Sequence, residues 1–331
     1  NILNENTLRF TRSFGDHSFE ALGGFTWQSE SNFSSSAQST EFPNDVLGIN
    51  AVGGTTGTPQ VSSGLNDWSI ASLIGRINYQ YDNRFLVTAT MRADGSSRFA
   101  KSNKWGYFPS VALGYRMSEE DFIKNLDFWD ELKLRVSYGH TGNQEIGLYQ
   151  SLARLSTNLI YIFDNQLVSG ARQTSLANHD LSWETSKGWD FGVDMGLFNN
   201  RLRVVFDYYL KETTDLLFTI NLPSYSGFSS ALYNTGSLEN KGLELTLGWD
   251  VIESPDFKWT IDGNYSRNKT AMTSLGESGA TNLYIGHPPG VSLSYIFDGI
   301  FRDEGEIQQH GIQQGVVPGD IRYQDTNNDG I

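Results

Sequence analysis

Hydrophobic and polar side chains alternate at every second position over long segments of the chain. From Leu243 to Trp249 the odd-numbered positions are leucine or tryptophan, and the even-numbered positions between them are glutamate, threonine and glycine. Below, each set of alternate positions along a strand is called a parity. A two-residue period is the pattern of a β-strand and not of a helix. The alternation recurs in ten segments and therefore predicts ten strands, at 6–13, 18–28, 70–81, 84–93, 107–117, 131–139, 189–197, 202–210, 241–250 and 257–265.

The links between the predicted strands alternate in length. Short links lie at 14–17, 82–83, 198–201 and 253–256, and long ones at 29–68, 94–106, 140–182, 212–240 and 268–331. A link of intermediate length at 118–130 is predicted to hold a helical turn at 119–126. In an antiparallel sheet the short links then share one end, as in outer-membrane barrels with tight periplasmic turns and long extracellular loops.

A soluble β-sandwich or a lipocalin-like barrel would also alternate, so the alternation leaves both readings open. Two features favour a membrane barrel. Charged residues stand in mid-strand on the polar parity, which suits a wide aqueous interior: Arg92, Arg135, Asp190, Asp194, Arg203 and Asp262. Aromatic residues gather near the short links, as in an interfacial girdle: Tyr79, Tyr81, Phe85, Trp249 and Trp259.

Composition excludes several kinds of partner, binding site and membrane segment. The 331 residues carry a formal net charge of −14 with a pI near 4.7, which disfavours a nucleic-acid partner because phosphate would be repelled. The absence of cysteine excludes disulfides and thiolate metal sites. No segment approaches the run of about 20 apolar residues that a spanning helix needs. The mean hydropathy of −0.38 suits strands that turn only alternate residues to lipid.

Five segments carry a more specific signal. They read LIGRINY at 73–79, RADGSSRF at 92–99, WGYFPSV at 105–111, LKLRVSYGHTGNQ at 132–144 and LANHDLSWET at 176–185. In order and spacing they resemble the SusC/RagA family of TonB-dependent outer-membrane receptors. The resemblance continues through 198–202, 207–209, 234–242, 318–321 and 325–330, and covers about residues 70–331. His179 stands where the family usually has proline.

The resemblance implies an all-β, antiparallel transmembrane barrel of 22 strands closed by an N-terminal plug. Residues 1–331 would be about ten of those strands, and the plug, the TonB box and the closing strands are expected outside this chain. Such receptors import oligosaccharides, and sometimes peptides, with energy delivered by TonB and under a SusD-like surface lipoprotein lid. The expected location is the outer membrane of a Gram-negative bacterium, with the lipid bilayer as a further partner.

Three other functions stay open at this stage: a siderophore receptor, a passive porin or adhesin barrel, and a secreted carbohydrate-active enzyme. An enzyme is not expected, because the five histidines are scattered and no nucleophile or metalloprotease motif is found. The segments 94–98 and 141–144 could contact a lid or ligand, but tight turns at strand ends explain them better.

Aromatic residues of the predicted long loops are the candidate ligand contacts, because aromatic faces stack on sugar rings. The candidates are Trp68, Tyr149, Tyr161, Tyr225, Phe228, Tyr233 and Tyr284. Packing within the loops, or contact with a lid, would use the same residues.

The C-terminal segment 325–330 matches the first half of an EF-hand-like calcium loop. Asp325, Asn327 and Asp329 supply oxygen ligands at alternate positions, and a glycine follows them. The competing interpretation is an Asx-rich turn without metal. Apart from this structural Ca²⁺, no cofactor is expected.

Overall fold

Ten antiparallel strands form the main sheet of the computed structural model, which describes residues 1–44, 46, 48–276, 283–310 and 313–326. In chain order the elements are β1 (Ile2–Phe14), β2 (His17–Gln38), β3 (Gln60–Tyr81), β4 (Phe85–Ser96), β5 (Trp105–Arg116), α1 (Asp121–Lys124), β6 (Trp129–Asn143), β7 (Leu155–Phe163), β8 (Gln166–Gln173), β9 (Glu184–Leu197), β10 (Leu202–Thr214), β11 (Leu217–Asn221), β12 (Ser230–Asn234), β13 (Ser237–Glu253), β14 (Lys258–Ser274), β15 (Phe297–Ile300), α2 (Glu304–Gln309) and β16 (Ile321–Tyr323). The strand order of the sheet is β1-β2-β3-β4-β5-β6-β9-β10-β13-β14.

These ten strands are the ten that the alternation predicts, so the all-β antiparallel fold class is confirmed. The short links all lie at one end of the sheet, and the predicted helical turn is present as a 3-10 turn at Met117–Glu119 followed by α1. Aromatic residues meet at that end, where Phe85 stacks on Tyr115 with 5.0 Å between the ring centroids. No helix among the described residues has the length and apolar content to cross a membrane.

Two strands extend much further than predicted. β2 and β3 are 22 residues each and remain paired out to Gln38 and Gln60, so nearly half of the predicted loop 29–68 is a strand ladder. Residues 29–38 are mainly serine, polar or acidic on both parities, so no apolar face marks them as a strand. Backbone pairing alone continues the ladder there, where both faces of the ribbon are polar.

The long loops also contain hairpins that the sequence did not predict. β7 pairs with β8 within the loop 140–182, and β11 pairs with β12 within the loop 212–240. These strands have five to nine residues, and they add no apolar face to the main sheet. β7 is apolar at every position from Leu159 to Phe163, and β11 and β12 have only five residues each, so a two-residue period does not show in these hairpins.

Residues 290–331 form a second unit, which we describe by itself. β15 pairs with β16 around a bulge, and Asp303 caps α2 by accepting a hydrogen bond from the Glu306 amide at 2.9 Å. Phe301 lies against His310, with 5.3 Å between the ring centroids. The strands of this unit are three or four residues long, so the predicted loop 268–331 holds little regular structure beyond the end of β14.

The register of the main sheet separates its two faces. One face, which we call the apolar face, carries Phe191, Phe206 and Leu245 in neighbouring strands. The opposite, polar face carries Arg135, Asp194 and their neighbours. Because successive side chains of a strand point to opposite sides, this separation holds over all ten strands.

The apolar face is a band that runs obliquely across the strands. Following the register from Tyr81 in β3, strand by strand, leads to Tyr265 in β14. The aromatic residue at the short-link end of β14 is Trp259, six positions closer to that end. With about 3.3 Å per residue and 4.8 Å between strands, this offset over seven strand steps corresponds to a tilt of about 30°. Strands of transmembrane barrels are tilted to a similar degree, by about 35–45°.

Candidate functional site

The charged residues predicted to line an aqueous interior do share one face of the sheet. Arg203 lies opposite Gly196 and Gly248, and Asp262 lies opposite the same Gly248. Arg135 lies opposite Gly192 on the neighbouring strand. The register places the remaining members of the set, Arg92, Asp190 and Asp194, on this face as well. The prediction of a continuous polar face is confirmed.

An ion-pair network occupies the middle of the polar face. Arg135 donates hydrogen bonds to Asp194 at 2.7 Å and to Asp207 at 2.8 Å, and Lys133 lies 3.4 Å from Asp194. The guanidinium lies over Gly192, where a Cβ would come within 2.5 Å of Arg135 Cζ. Glycine at this position therefore makes room for the network. Charged groups held in this way suit a face that borders water and not lipid.

A second ion pair lies closer to the long loops. Arg92 Nε donates to both carboxylate oxygens of Asp94 at 2.8 Å, and its Nη2 donates to Ser72 Oγ at 3.2 Å. Asp94 is buried, and the guanidinium of Arg92 is half exposed. Asp94 therefore fixes an Arg92 side chain that still presents donors to the space above the sheet.

A hydrophobic cluster closes the long-loop end of this face. We call it the rim cluster, and it consists of Phe99, Phe108, Ile146, Leu181 and Trp183. Phe108 meets Trp183 edge to face, with 5.4 Å between the centroids. A Cβ at Gly142 would come within 2.1 Å of Phe108, and one at Gly106 within 2.5 Å. Glycine is thus required at both positions for the rings to pack.

The rim cluster explains four of the family-like segments, because each contributes a ring, an aliphatic side chain or a glycine to it. Segment 92–99 supplies Phe99, 105–111 supplies Gly106 and Phe108, 132–144 supplies Gly142, and 176–185 supplies Leu181 and Trp183. The strands also run on through two of the predicted turns, since β4 ends at Ser96 and β6 at Asn143. These segments therefore build the packed rim. The structure extends β4 three residues and β6 four residues beyond the strand ends that the sequence predicted.

An open recess of about 450 Å³ lies on the polar face beside the rim cluster. Its lining combines two arginines with aromatic rings and small polar groups. The residues on which the argument depends are Arg76, Thr90, Arg92, Phe108, Gln144 and Trp183. Arg76 Nε donates to Thr90 Oγ1 at 3.2 Å, and the buried Oε1 of Gln144 has no hydrogen-bond partner among the described residues. The recess offers the exposed donors of Arg76 and Arg92 to a polar ligand, beside a wall of largely buried rings.

Sequence reasoning selected Arg92 as an interior charge and considered 141–144, which contains Gln144, as a possible ligand contact, but it did not select Arg76, Thr90, Phe108 or Trp183 as site residues. The alternating pattern does place Arg76, Thr90 and Arg92 among the polar positions of β3 and β4. The pattern does not give the register of the two strands, which sets Arg76 opposite Thr90. The segments that meet in the recess lie up to about a hundred residues apart in the sequence, and spacing along one chain cannot show that they meet.

Two of the predicted ligand contacts lie together at the rim. The Trp68 ring lies under the guanidinium of Arg98, with 5.1 Å from Cζ to the ring centroid. Tyr149 Oη accepts a hydrogen bond from the amide of the neighbouring Asp67 at 3.0 Å. Arg98 in turn donates to the carbonyl of Ile146 at 2.7 Å and so ties this pair to the rim cluster.

The other predicted contacts are spread over separate loops. Tyr225, Phe228 and Tyr233 belong to the β11–β12 hairpin, and Tyr225 is 90% exposed. Tyr161 lies on β7 and is 52% exposed, while Tyr284 is half-buried. The structure thus brings Trp68 and Tyr149 together but does not gather all seven into one site. Their role in ligand binding stays a prediction.

The predicted calcium loop lies largely beyond the part of the chain that the structure describes. Asp325 is described, whereas Asn327 and Asp329 lie outside the described residues. Among the described residues, no group of three or more His, Asp or Glu side chains is arranged to hold a metal ion. The calcium site stays a prediction.

Outside the membrane-facing strands, the α1 connection carries its own ion pairs. A hydrogen bond from Lys124 Nζ, at 2.9 Å, holds the pKa of Glu119 below its usual value, and a second from Asn83 Nδ2 acts in the same direction. Arg84 reaches across to Glu120 at 3.1 Å. These contacts join the β3–β4 turn to the β5–β6 connection at the short-link end.

Comparison with known proteins finds TonB-dependent receptors both by family profile and by sequence identity. The profile of the family described as "TonB dependent receptor-like, beta-barrel" matches residues 2–329. TonB-dependent receptor P3 of Formosa agariphila is 43% identical over 291 residues, which are 88% of this chain and 29% of that protein. TonB-dependent receptor SusC of Bacteroides thetaiotaomicron is 37% identical over 222 residues, 66% of this chain and 22% of that protein. The chain spans less than a third of the length of these relatives.

Solved structures agree with the sequence comparison. The RagAB peptide importer in its closed-closed state superposes with a TM-score of 0.81 and 27% identity, over 99% of this chain and 37% of that chain. The outer membrane transporter YddB of Escherichia coli superposes with a TM-score of 0.56 at 11% identity, and so shares the fold. The chain therefore belongs to the TonB-dependent receptor β-barrel family, within its SusC/RagA group, and is an outer-membrane protein of Gram-negative bacteria.

Proposed function

We propose that this chain is part of the barrel of a SusC-type importer, which takes up oligosaccharides or peptides under a SusD-like lid with energy from TonB. The observation that carries the proposal is the superposition of 99% of the chain on the RagAB peptide importer with a TM-score of 0.81. The 37% identity to SusC supports the same group from the sequence side. Residues 1–331 would then form one part of a longer receptor.

The two faces of the sheet support transport. One face carries a band of apolar side chains that runs obliquely across the strands, as expected of a surface that faces lipid. The other carries the Arg135–Asp194–Asp207 network and the Arg92–Asp94 pair, which need water or polar partners. A solute that crosses the membrane through such a barrel would move along this charged wall.

The recess beside the rim cluster suits either proposed substrate class. Arg76 and Arg92 can donate to sugar hydroxyls or to peptide carbonyls and carboxylates, and the largely buried rings of Phe108 and Trp183 form a firm wall beside them. We propose that substrate contacts begin here and extend to Trp68 and Tyr149 at the rim.

The exposed aromatic residues of the outer hairpins suit a different partner. Tyr161 and Tyr225 project from β7–β8 and β11–β12 with little cover. Protein interfaces are enriched in tyrosine, so we assign these hairpins to contact with the proposed lid lipoprotein. Tyr233 and Phe228 are less exposed, which fits support of the hairpin from within.

The proposal is tested by uptake in a strain whose complete receptor gene is deleted. Labelled oligosaccharide and peptide pools are supplied, and uptake is compared in the parent, the deletion strain and the complemented strain. We expect the deletion to abolish uptake of one pool and complementation to restore it. A protonophore should stop the restored uptake, because TonB draws on the proton gradient.

The alternatives give different outcomes in the same experiment. Uptake that continues at an unchanged rate under the protonophore would identify a passive pore. A strain that loses only ferric-siderophore uptake would identify a siderophore receptor. Deletion of an adjacent lipoprotein gene should reduce uptake strongly, and unchanged uptake would remove the lid from the proposal.

A further inference from the structure

The two arginines of the recess are neighbours on one wall of the polar face. Arg76 lies on β3 and Arg92 on β4, and the register sets Arg76 opposite Thr90. Arg92 follows two positions after Thr90, so it is the diagonal neighbour of Arg76 on the same face, at about 7–8 Å between the backbones. β3 and β4 each pair with a strand on both sides, so this wall belongs to the interior of the sheet and not to its open edges.

Each guanidinium is held by part of its donors and keeps the others free. Arg76 is held through Nε, which donates to Thr90 Oγ1 at 3.2 Å. Arg92 is held through Nε and Nη2, which donate to Asp94 and Ser72. Both Nη atoms of Arg76 and Nη1 of Arg92 have no hydrogen-bond partner among the residues that the structure describes. The two groups are thus oriented in advance, which reduces the entropic cost of binding a ligand.

The charges of the recess are only partly compensated. Asp94 is buried and accepts from Arg92 with both carboxylate oxygens, so it compensates the charge of Arg92. Arg76 is exposed and forms no ion pair with any residue in the described part of the chain. The lining therefore keeps a net positive charge. A neutral hydroxyl could accept a hydrogen bond from Arg76, whereas an anion would also supply the missing charge and form the stronger, charge-assisted bond.

Apolar side chains surround the two arginines. Ile74, the register partner of Arg92, lines the recess next to both of them, together with the largely buried rings of Phe108 and Trp183. An apolar wall lowers the local dielectric constant, so a guanidinium attracts an anion more strongly here than in open water. The volume of about 450 Å³ lies within the range of small-ligand pockets.

We propose that the recess binds a carboxylate of the transported solute, and that Arg76 determines this preference. The proposal rests on the proposed function, because it concerns the solute of the same importer. The carboxylate would accept hydrogen bonds from the free Nη groups of Arg76 and from Nη1 of Arg92, since guanidinium donors match its two oxygens. Both proposed substrate classes can carry this group, an oligosaccharide as a uronic acid and a peptide as its C-terminus or an acidic side chain.

Uptake by the complete receptor, produced in the deletion strain, tests the proposal. The labelled probes are acidic oligosaccharides from pectin and alginate digests and a peptide digest of casein. Each is supplied intact and in a neutral form, with carboxyl groups reduced to alcohols in the oligosaccharides and amidated in the peptides. We expect the parent to take up one intact probe with a half-saturating concentration about tenfold below that of its neutral form. This concentration does not depend on the amount of folded receptor.

The variant R76Q removes the uncompensated charge and leaves the buried Asp94 paired, which a replacement of Arg92 would not do. We expect R76Q to raise the half-saturating concentration of the intact probe about tenfold and to leave that of the neutral form unchanged. R76K keeps the charge and should restore part of the preference. The matched control R172Q removes one exposed arginine of β8, outside the recess, and should behave like the parent.

The probe that R76Q affects identifies the source of the carboxylate, an oligosaccharide or a peptide. Equal half-saturating concentrations for an intact probe and its neutral form in the parent would overturn the proposal and leave the proposed function intact. The same conclusion follows if R76Q impairs uptake of both forms alike, because Arg76 would then have a structural role. A parent that takes up none of the probes would contradict the proposed function itself, and this proposal with it.

Discussion

Gly192 is a residue on which the central ion-pair network of the polar face depends. A Cβ at this position would lie 2.5 Å from Arg135 Cζ and 2.5 Å from Asp207 Oδ1. We expect Gly192→Ala to displace both groups and to lower the free energy of unfolding by about 1–3 kcal/mol, the usual cost of overpacking. The measurement is the temperature at which the complete receptor loses its compact mobility on a gel.

Gly75 provides the matched control for that experiment. It is also a strand glycine, but a Cβ there would meet nothing within 4 Å. Gly75→Ala should therefore keep the parental transition temperature. Equal transitions for the two variants would show that the network does not depend on the space above Gly192.

Glu119 gives a prediction of pH dependence at the short-link end. Its pKa is lowered chiefly by the hydrogen bond from Lys124. A lowered pKa means that the stabilisation is present above the usual glutamate pKa, about 4.3, and is lost as the pH falls through the lowered value. We expect hydrogen exchange in the 117–128 connection to accelerate over that acidic range.

The variant E119Q removes the titrating group and should lose this acid-dependent component. K124Q should shift the change to higher pH, because the pKa of Glu119 returns towards its usual value. Identical pH profiles for parent and E119Q would assign the effect to another group.

For single residues, the sequence indicated which residue types could contact a ligand, but it did not show which of them come together in one site. Trp68 and Tyr149 were predicted from aromatic character alone, and their contact through Asp67 and Arg98 depends on the fold. For the recess residues Arg76 and Arg92, the sequence pattern showed only that they belong to the polar face of their strands. Register and the packing of distant segments determine which polar residues meet, and neither is encoded in local spacing.

Substitutions in strand β13 can test which face of the sheet meets lipid. Leu245 lies within the apolar band, and Thr246 lies next to it on the polar face. We expect Leu245→Arg to destabilise the inserted barrel by about 2–4 kcal/mol, the cost of an arginine facing lipid near the midplane. Urea titration of the complete receptor folded into lipid vesicles measures this difference.

Thr246→Arg introduces the same side chain one position away and is the matched control. Its neighbours across the strands are Val205 and Asn264, beside Asp262. It should therefore be tolerated with little loss of stability. A larger loss for Thr246→Arg than for Leu245→Arg would reverse the faces.

The elements were predictable wherever one face met lipid. The ten sheet strands were found because alternation persists across the apolar band. The outer parts of β2 and β3 were missed because polar side chains occupy both faces there, so the period disappears while backbone pairing continues. The hairpins β7–β8 and β11–β12 were missed for a related reason, since neither extends the band.

For the whole molecule, the separation of faces reconciles composition with location. A mean hydropathy of −0.38 and a net charge of −14 are compatible with a membrane protein because lipid contacts only alternate strand residues. The remaining positions form the polar face and the long-loop end, which carry the ion pairs and the recess. The sheet therefore separates a lipid-facing surface from a polar surface that faces water.

A nitroxide scan along β10 measures this separation of the two faces. Single cysteines are introduced at 203–210 in a cysteine-free form of the complete receptor, labelled, and measured in lipid vesicles for collision with oxygen, which concentrates in the bilayer. We expect high oxygen accessibility at Val204, Phe206, Tyr208 and Leu210, and low accessibility at Arg203, Val205, Asp207 and Tyr209. Accessibility without a two-residue period, or with the opposite phase, would show that the sheet does not turn this face to lipid.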